Sequence, residues 1–137
     1  MKKGVIHVDI KEFAEKWMQA DKQAFQEGNF DFLEQLESPN TVFHMAPIPD
    51  VIGFEGHKEY ILNARESVSD LKQKFEYITG DGNVCAISFK ETFTAKVDNP
   101  MLQMSAGSTV NIDALFVLRC ENDKLAEVWM KSNIVSS

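Results

Sequence analysis

The chain has 137 residues, of which 44% are hydrophobic and 26% charged, with a formal net charge of −7 and no basic run. That is the size of one domain with enough apolar residues for a real core. It excludes an uncharged transmembrane stretch and argues against nucleic acid or an anionic membrane as partner, because phosphate contact needs Lys and Arg. The start, Met1 to Asp9, has no apolar leader stretch, and Cys85 and Cys120 have neither metal-type spacing nor a disulfide framework. The expectation is a cytoplasmic protein with reduced thiols.

The first helix opens at Asp9, which with Glu12 forms a capping box, while Val8 and Phe13 form a hydrophobic staple. Its apolar stripe is Ile10, Phe13, Ala14, Trp17, Ala24 and Phe25, and Gly28 stops it. A short second helix, Asp31 to Leu36, ends at Ser38-Pro39. Thr41 to Met45 reads as a strand, broken by Pro47, Pro49 and Gly53. A third helix covers Gly56 to Val68, with Tyr60, Ile61, Ala64 and Val68 on one face.

The period then changes to two. Lys74 to Thr79 is a strand, Gly80-Asp81-Gly82-Asn83 a hairpin turn, and Val84 to Ala95 a long strand. Residues 96–108 form a loop carrying Met101, Leu102 and Met104, suited either to a lid over a greasy ligand or to a pinned surface loop. Thr109 to Glu121 and Lys124 to Ile134 form the last hairpin around Asn122-Asp123. With no repeat or linker, residues 1–137 read as one α+β domain, helices first and an antiparallel meander after.

Four segments carry a family resemblance: Glu27-Gly28-Asn29-Phe30-Asp31, Thr41 to Pro47, Gly53-Phe54-Glu55-Gly56-His57-Lys58, and Arg119 to Trp129. In this order the chain resembles the nuclear transport factor two-like, or cystatin-like cone, superfamily, and within it the SnoaL-like polyketide cyclase group. The resemblance implies a cone: a strongly curved mixed or antiparallel sheet wrapped around three N-terminal helices and enclosing an apolar pocket. The fold hosts enzymes, ligand binders and dimerisation modules, so it does not bring one function with it. Two positions depart from the group. Met130 stands where its cyclases usually carry an acidic residue after the last-strand Trp, and Thr94 falls where a His is common.

Counting back from the Asn122-Asp123 turn pairs Val117 with Val128, Leu115 with Met130 and Asp113 with Ser132. All six then share one face, because side chains alternate along a strand; the resemblance, in which the position after the last-strand Trp faces the pocket, implies that this face is the inner one. Phe116, Leu118, Cys120 and Trp129 fall on the outer face. An apolar outer face implies a second cover, so a homodimer through Phe116, Leu118 and Trp129 is expected.

Three polar residues interrupt faces expected to be inward: His44, Asp113 and Asp21. His44 titrates near neutrality, and by resemblance it falls near the general base of the ketosteroid isomerases of the superfamily. Asp113 would orient His44, and Asp21, near a catalytic tyrosine position by the same resemblance, would hydrogen-bond substrate. Each also has a plainer reading: a backbone-bonded rim His, a solvated strand-end Asp, and an Asp paired with Lys16 or Lys22 at the stripe's edge. Trp17, Val42 and Tyr60 complete the expected wall with Leu115, Val117, Val128, Met130 and Ser132. The pattern implies a small hydrophobic ligand, no metal and no cofactor. The function it suggests is a cofactor-free isomerase, lyase or cyclase acting on a hydrophobic carbonyl compound by His/Asp chemistry. The alternative is a non-catalytic ligand-binding or dimerisation domain.

Overall fold

The Asp9 side chain accepts the backbone N–H groups of Lys11 (2.8 Å) and Glu12 (3.3 Å), so the first helix starts where its cap requires. The structure, a computed structural model, describes residues 9–135; Val8 of the expected staple lies outside them. Helix α1 (Ile10–Glu27) buries Phe13, Ala14, Trp17, Ala20 and Ala24 on one stripe. It ends on Gly28, in the left-handed conformation at φ 72°, whose N–H donates to Ala24 O at 3.0 Å. Helix α2 (Asp31–Leu36) follows, then β1 (Glu37–His44), β2 (Val51–Ile52), α3 (Gly53–Ser67), β3 (Val68–Asp81), β4 (Val84–Ala95), β5 (Thr109–Glu121) and β6 (Lys124–Val135). No helix among the described residues is long and apolar enough to cross a membrane.

The six strands form one curved, open sheet in the order β2-β1-β6-β5-β4-β3, in which only β1 and β6 run parallel. Helix α1 packs against β3 and β4, and α3 against β1, which places the core between the helices and the concave face of the sheet. Trp17, Phe13, Phe43, Leu33, Ile61, Ile87, Leu118, Leu125 and Val128 are almost wholly excluded from water. Each such side chain contributes roughly 1.5–3 kcal/mol of transfer free energy. The architecture is the α+β cone anticipated from the sequence.

Three boundaries move. Strand β1 begins at Glu37 rather than Thr41, because a register break between Glu37 and Val42 lets Pro39 sit outside the regular ladder. Helix α3 begins three residues early, at Gly53. There φ is +76° and a Cβ would stand 2.6 Å from the Pro39 carbonyl oxygen, so only glycine fits. Strand β3 extends back to Val68 through a second break at Asp70, itself at φ 53°.

Two parities are corrected. In β1 the inward residues are Thr41 and Phe43, with Met45 just past the strand also buried, so Val42 and His44 face outward. The larger apolar payload of Phe43 and Met45 outweighs that of Val42. In the last hairpin the turn is as expected, but Ala126 is an extra residue: Cys120 pairs with Leu125 and Arg119 with Glu127. This bulge slips the register by one, so Leu118 faces Val128 and Phe116 faces Met130. Phe116, Leu118 and Cys120 are therefore buried inside and do not belong to the outer surface. Asp113, Leu115 and Val117 point away from the core. Trp129 is on the outer face as expected, 41% exposed, near Leu115 at 45%.

Candidate active site

A cavity of about 550 Å³ opens between α1, α3 and the inner face of the sheet. Of the wall residues expected from the sequence, Trp17, Tyr60, Val128, Met130 and Ser132 line it, whereas Val42, Leu115 and Val117 do not. Phe43, Phe89 and Phe116 supply further apolar wall, and the 96–108 loop contributes Met101, Leu102 and Met104.

The polar heart of the cavity is built on four elements. Glu37, at the first position of β1, is buried. Its Oε2 accepts the Trp17 indole N–H at 2.9 Å, and both its oxygens lie 3.0 Å from His57 Nδ1. His57, in the first half of α3, is also buried and packs its ring against Phe43 at a centroid distance of 4.2 Å. With Nδ1 donating to Glu37, the other ring nitrogen faces Asp21 of α1, at 3.4 Å from Oδ1. That distance allows charge attraction, but the pair falls outside hydrogen-bond geometry. The buried Asp21 Oδ1 thus has no hydrogen-bond partner among the described residues. On β4, Glu91 accepts from Gln73 Nε2 at 3.2 Å, and Gln73 in turn accepts from Gln26 at 3.5 Å.

These surroundings shift the proton affinities in distinct ways. Burial raises the Asp21 carboxyl to about 7; the His57 charge opposes this, and Glu37 and Glu91 reinforce it. Burial disfavours a charged His57, but Glu37, through its charge and hydrogen bond, and Asp21 together outweigh it and raise the imidazole. Burial also takes Glu91 to about 7, against the Gln73 hydrogen bond. It takes the Tyr60 phenol to about 12, with Glu91 and Asp21 adding to the effect. The cavity therefore holds an imidazole whose proton affinity is raised beside Glu37, two carboxyls at about 7, and a phenol that keeps its proton at neutral pH.

Of the three expected polar residues, only Asp21 reaches the cavity. His44 lies on the outer face of β1. Its Nε2 is 2.6 Å from Glu127 Oε2 and its Nδ1 3.1 Å from Asp50 Oδ1, and its ring stacks on Trp129 at 5.7 Å. Glu127 is also held by Arg119 at 3.2 Å. The Glu127 hydrogen bond, with Asp50 assisting against partial desolvation, raises the His44 pKa. Asp113 is exposed, opposite Lys90 on one side and Asn133 on the other. Cys85 and Cys120 are free and buried, and burial raises both thiols, Cys85 to about 11, which leaves them unreactive.

Sequence reasoning passed over Glu37 and Glu91 and took His57 to open a helix pointing elsewhere, though each carries a signal. His57, Tyr60, Ile61 and Ala64 stand at i, i+3, i+4 and i+7, so His57 belongs to the inward stripe of α3. Glu91 is the polar break in the inward series Cys85, Ile87, Phe89, Phe93, Ala95. Glu37 shares the odd parity of Thr41 and Phe43.

Solved structures share this architecture. TsrD from Streptomyces laurentii superposes with a TM-score of 0.76 at 16% identity, covering 92% of this chain and 91% of that one. A candidate polyketide cyclase from Acidithiobacillus ferrooxidans gives 0.72 at 20% identity, with 92% of each chain covered. A nuclear transport factor 2-like protein from Exiguobacterium sp. 255-15 gives 0.69 at 13% identity, covering 88% of this chain and 98% of that one. No curated protein matches the sequence significantly. The sequence profile of the SnoaL-like polyketide cyclases matches residues 12–136, and with that match across nearly its whole length the chain belongs to the SnoaL-like polyketide cyclase family.

Proposed function

We propose that the protein is a cofactor-free acid–base catalyst that removes and returns a proton next to the carbonyl of a hydrophobic compound held in the cavity. The observation that carries this reading is Asp21: a buried carboxyl on the cavity wall, with a pKa of about 7 and an oxygen that no protein group occupies. A group poised near the working pH can both take a proton and give it back. In the forward step Asp21 Oδ1 takes the α-proton, and the electron pair moves onto the carbonyl oxygen. The Tyr60 O–H, still protonated at neutral pH, donates to that oxygen as its negative charge develops. Where the substrate carries a β,γ double bond, the dienolate takes the proton back from Asp21 at its γ-carbon as the double bond moves into conjugation, which is isomerisation. Alternatively the enolate carbon attacks a second carbonyl of the same molecule, forming a carbon–carbon bond while the new alkoxide takes the proton from Asp21. His57, held by Glu37, keeps Asp21 from rising out of the useful range.

The test is α-proton exchange in deuterated water, followed by NMR on fused-ring ketones such as 1-tetralone and 2-tetralone. Asp21→Asn keeps the shape and removes the base, so the catalysed exchange rate should fall by roughly 10²–10⁴-fold. Exchange of equal rate in wild type and variant would remove Asp21 from the chemistry. One observation favours a second reading, binding without turnover: the apolar Met130 occupies the wall where the group's cyclases usually place an acid. Tight ketone binding with no exchange and no product would establish it. The exposed Trp129 and Leu115 on a sheet already buried on its other face support a further element of the proposal, pairing of two copies through this outer surface.

A further inference from the structure

The cavity wall holds no lysine or arginine among the described residues, yet it carries Asp21 and Glu91. The one basic side chain on the wall, His57, is already hydrogen-bonded to Glu37, which also accepts the Trp17 N–H. Asp21 and Glu91 are thus acidic groups with no cation of their own beyond the misaligned 3.4 Å approach of His57 to Asp21. Asp21 is nine-tenths buried and its Oδ1 is unpartnered. Glu91 interrupts an otherwise apolar inward stripe, and the Gln73–Gln26 chain holds it in place. Asp21, Glu91 and Tyr60 all line this one cavity, with the Trp17 and Phe89 rings on the same wall. A buried carboxyl left without a partner is costly, and a ligand that brings the missing charge recovers that cost. Aromatic faces beside it favour a cation as well.

We propose that the ligand of this cavity is a hydrophobic amine that also bears the carbonyl: an apolar ring skeleton whose protonated nitrogen seats against Glu91, within reach of the Asp21 charge. The inference rests on the cavity being the ligand site and deepens that reading by naming the ligand's charge class. Carboxylate and phosphate ligands are disfavoured for the same reason, since nothing on the wall would compensate them. Ammonium binding draws protons off the two carboxyls. The other groups facing them are His57 and Tyr60 from α3, Glu37 from β1 and the neutral Gln73 from β3. Amine affinity should therefore rise from pH 6 to pH 8, with proton release on binding at pH 6.5.

The experiment is calorimetric titration of the whole chain with three probes on one skeleton: 2-naphthylmethylamine, 2-naphthylmethanol and 2-naphthoic acid. At pH 8 the amine should bind at least about tenfold tighter than the alcohol, a difference of about 1.4 kcal/mol. The acid should bind more weakly than either. Glu91→Gln should lower the amine-to-alcohol ratio by about tenfold, and the heat in buffers of different ionisation enthalpy should report the released proton. The proposal is overturned if the acid or the alcohol matches the amine, if the ratio survives in Glu91→Gln, or if none of the three binds at millimolar concentration. Should Glu91→Gln not fold, the three-probe ratio of the wild type decides alone. Amine preference without α-proton exchange would leave the ligand class standing and remove the chemistry. Exchange without amine preference would do the reverse.

Discussion

Asp21→Asn should stabilise the folded protein at alkaline pH while it disables the site. In the folded state the Asp21 carboxyl sits at about 7, against an ordinary value of 3.8. Between those two values the folded protein holds a proton that the unfolded chain has released, so stability falls as pH rises through this window. A shift of about three units corresponds to about 4 kcal/mol once pH is well above 7, and to only about 1–2 kcal/mol at pH 5. The asparagine amide is itself buried without a partner and forfeits part of the gain, leaving a net stabilisation of about 1–3 kcal/mol at pH 8. For a domain of this size that is roughly 3–10 °C in Tm. Near pH 5 the variant should match the wild type within about 1 kcal/mol. Urea unfolding at both pH values, followed by circular dichroism, measures the difference. A variant equally destabilised at pH 5 and pH 8 would refute the idea that the burial of a charge at Asp21 is what strains the site.

Two further outcomes follow from the same geometry. His57→Ala leaves Glu37 buried with only the Trp17 N–H as partner, so it should cost about 3–5 kcal/mol; adding Glu37→Gln to it should restore part of that loss, read from urea midpoints of the single and double variants. If Trp129 anchors contact between two copies, Trp129→Asp should weaken self-association by at least about 30-fold in sedimentation velocity, and a wild type that stays monomeric at 100 μM, roughly the range of weak complexes, would end that reading.

The fold was legible because its signals are local. The capped start and glycine stop of α1, the change of period after α3 and the Asn122-Asp123 turn each follow from a few adjacent residues. The site was legible only in part, because it depends on which face each strand turns inward. His44 and Asp113 were misplaced by a parity error of one residue, the smallest slip a strand permits and one that reverses every side chain. Asp21 and Tyr60 were placed correctly because helical stripes tolerate small errors of phase. Glu37 and His57 are 20 residues apart and meet only when α3 folds over β1, a packing that no local pattern announces. Polar breaks in apolar stripes, such as Glu91 in β4, are the signal that survives such errors, since they need the parity of one strand only.

The parity error in β5 has one physical source, and it can be tested. Ala126 is the extra residue of the last hairpin: Leu125 pairs with Cys120, Glu127 with Arg119 and Val128 with Leu118. Deleting Ala126 leaves all three pairs intact and keeps Leu125 and Val128 facing the core, as both now do. Strand β1 already breaks register beside this point, between Glu37 and Val42, so it can absorb the change. The deletion should therefore cost only about 1–2 kcal/mol and preserve cooperative unfolding. Deleting Val128 instead would carry Trp129 inward, Met130 outward and Lys131 into the wall of the cavity, and should abolish folding. If the Ala126 deletion unfolds the protein as completely as the Val128 deletion does, the bulge is itself a requirement of the sheet's curvature. In that case the straight-hairpin reading failed by omitting a structural device and not merely by miscounting one residue.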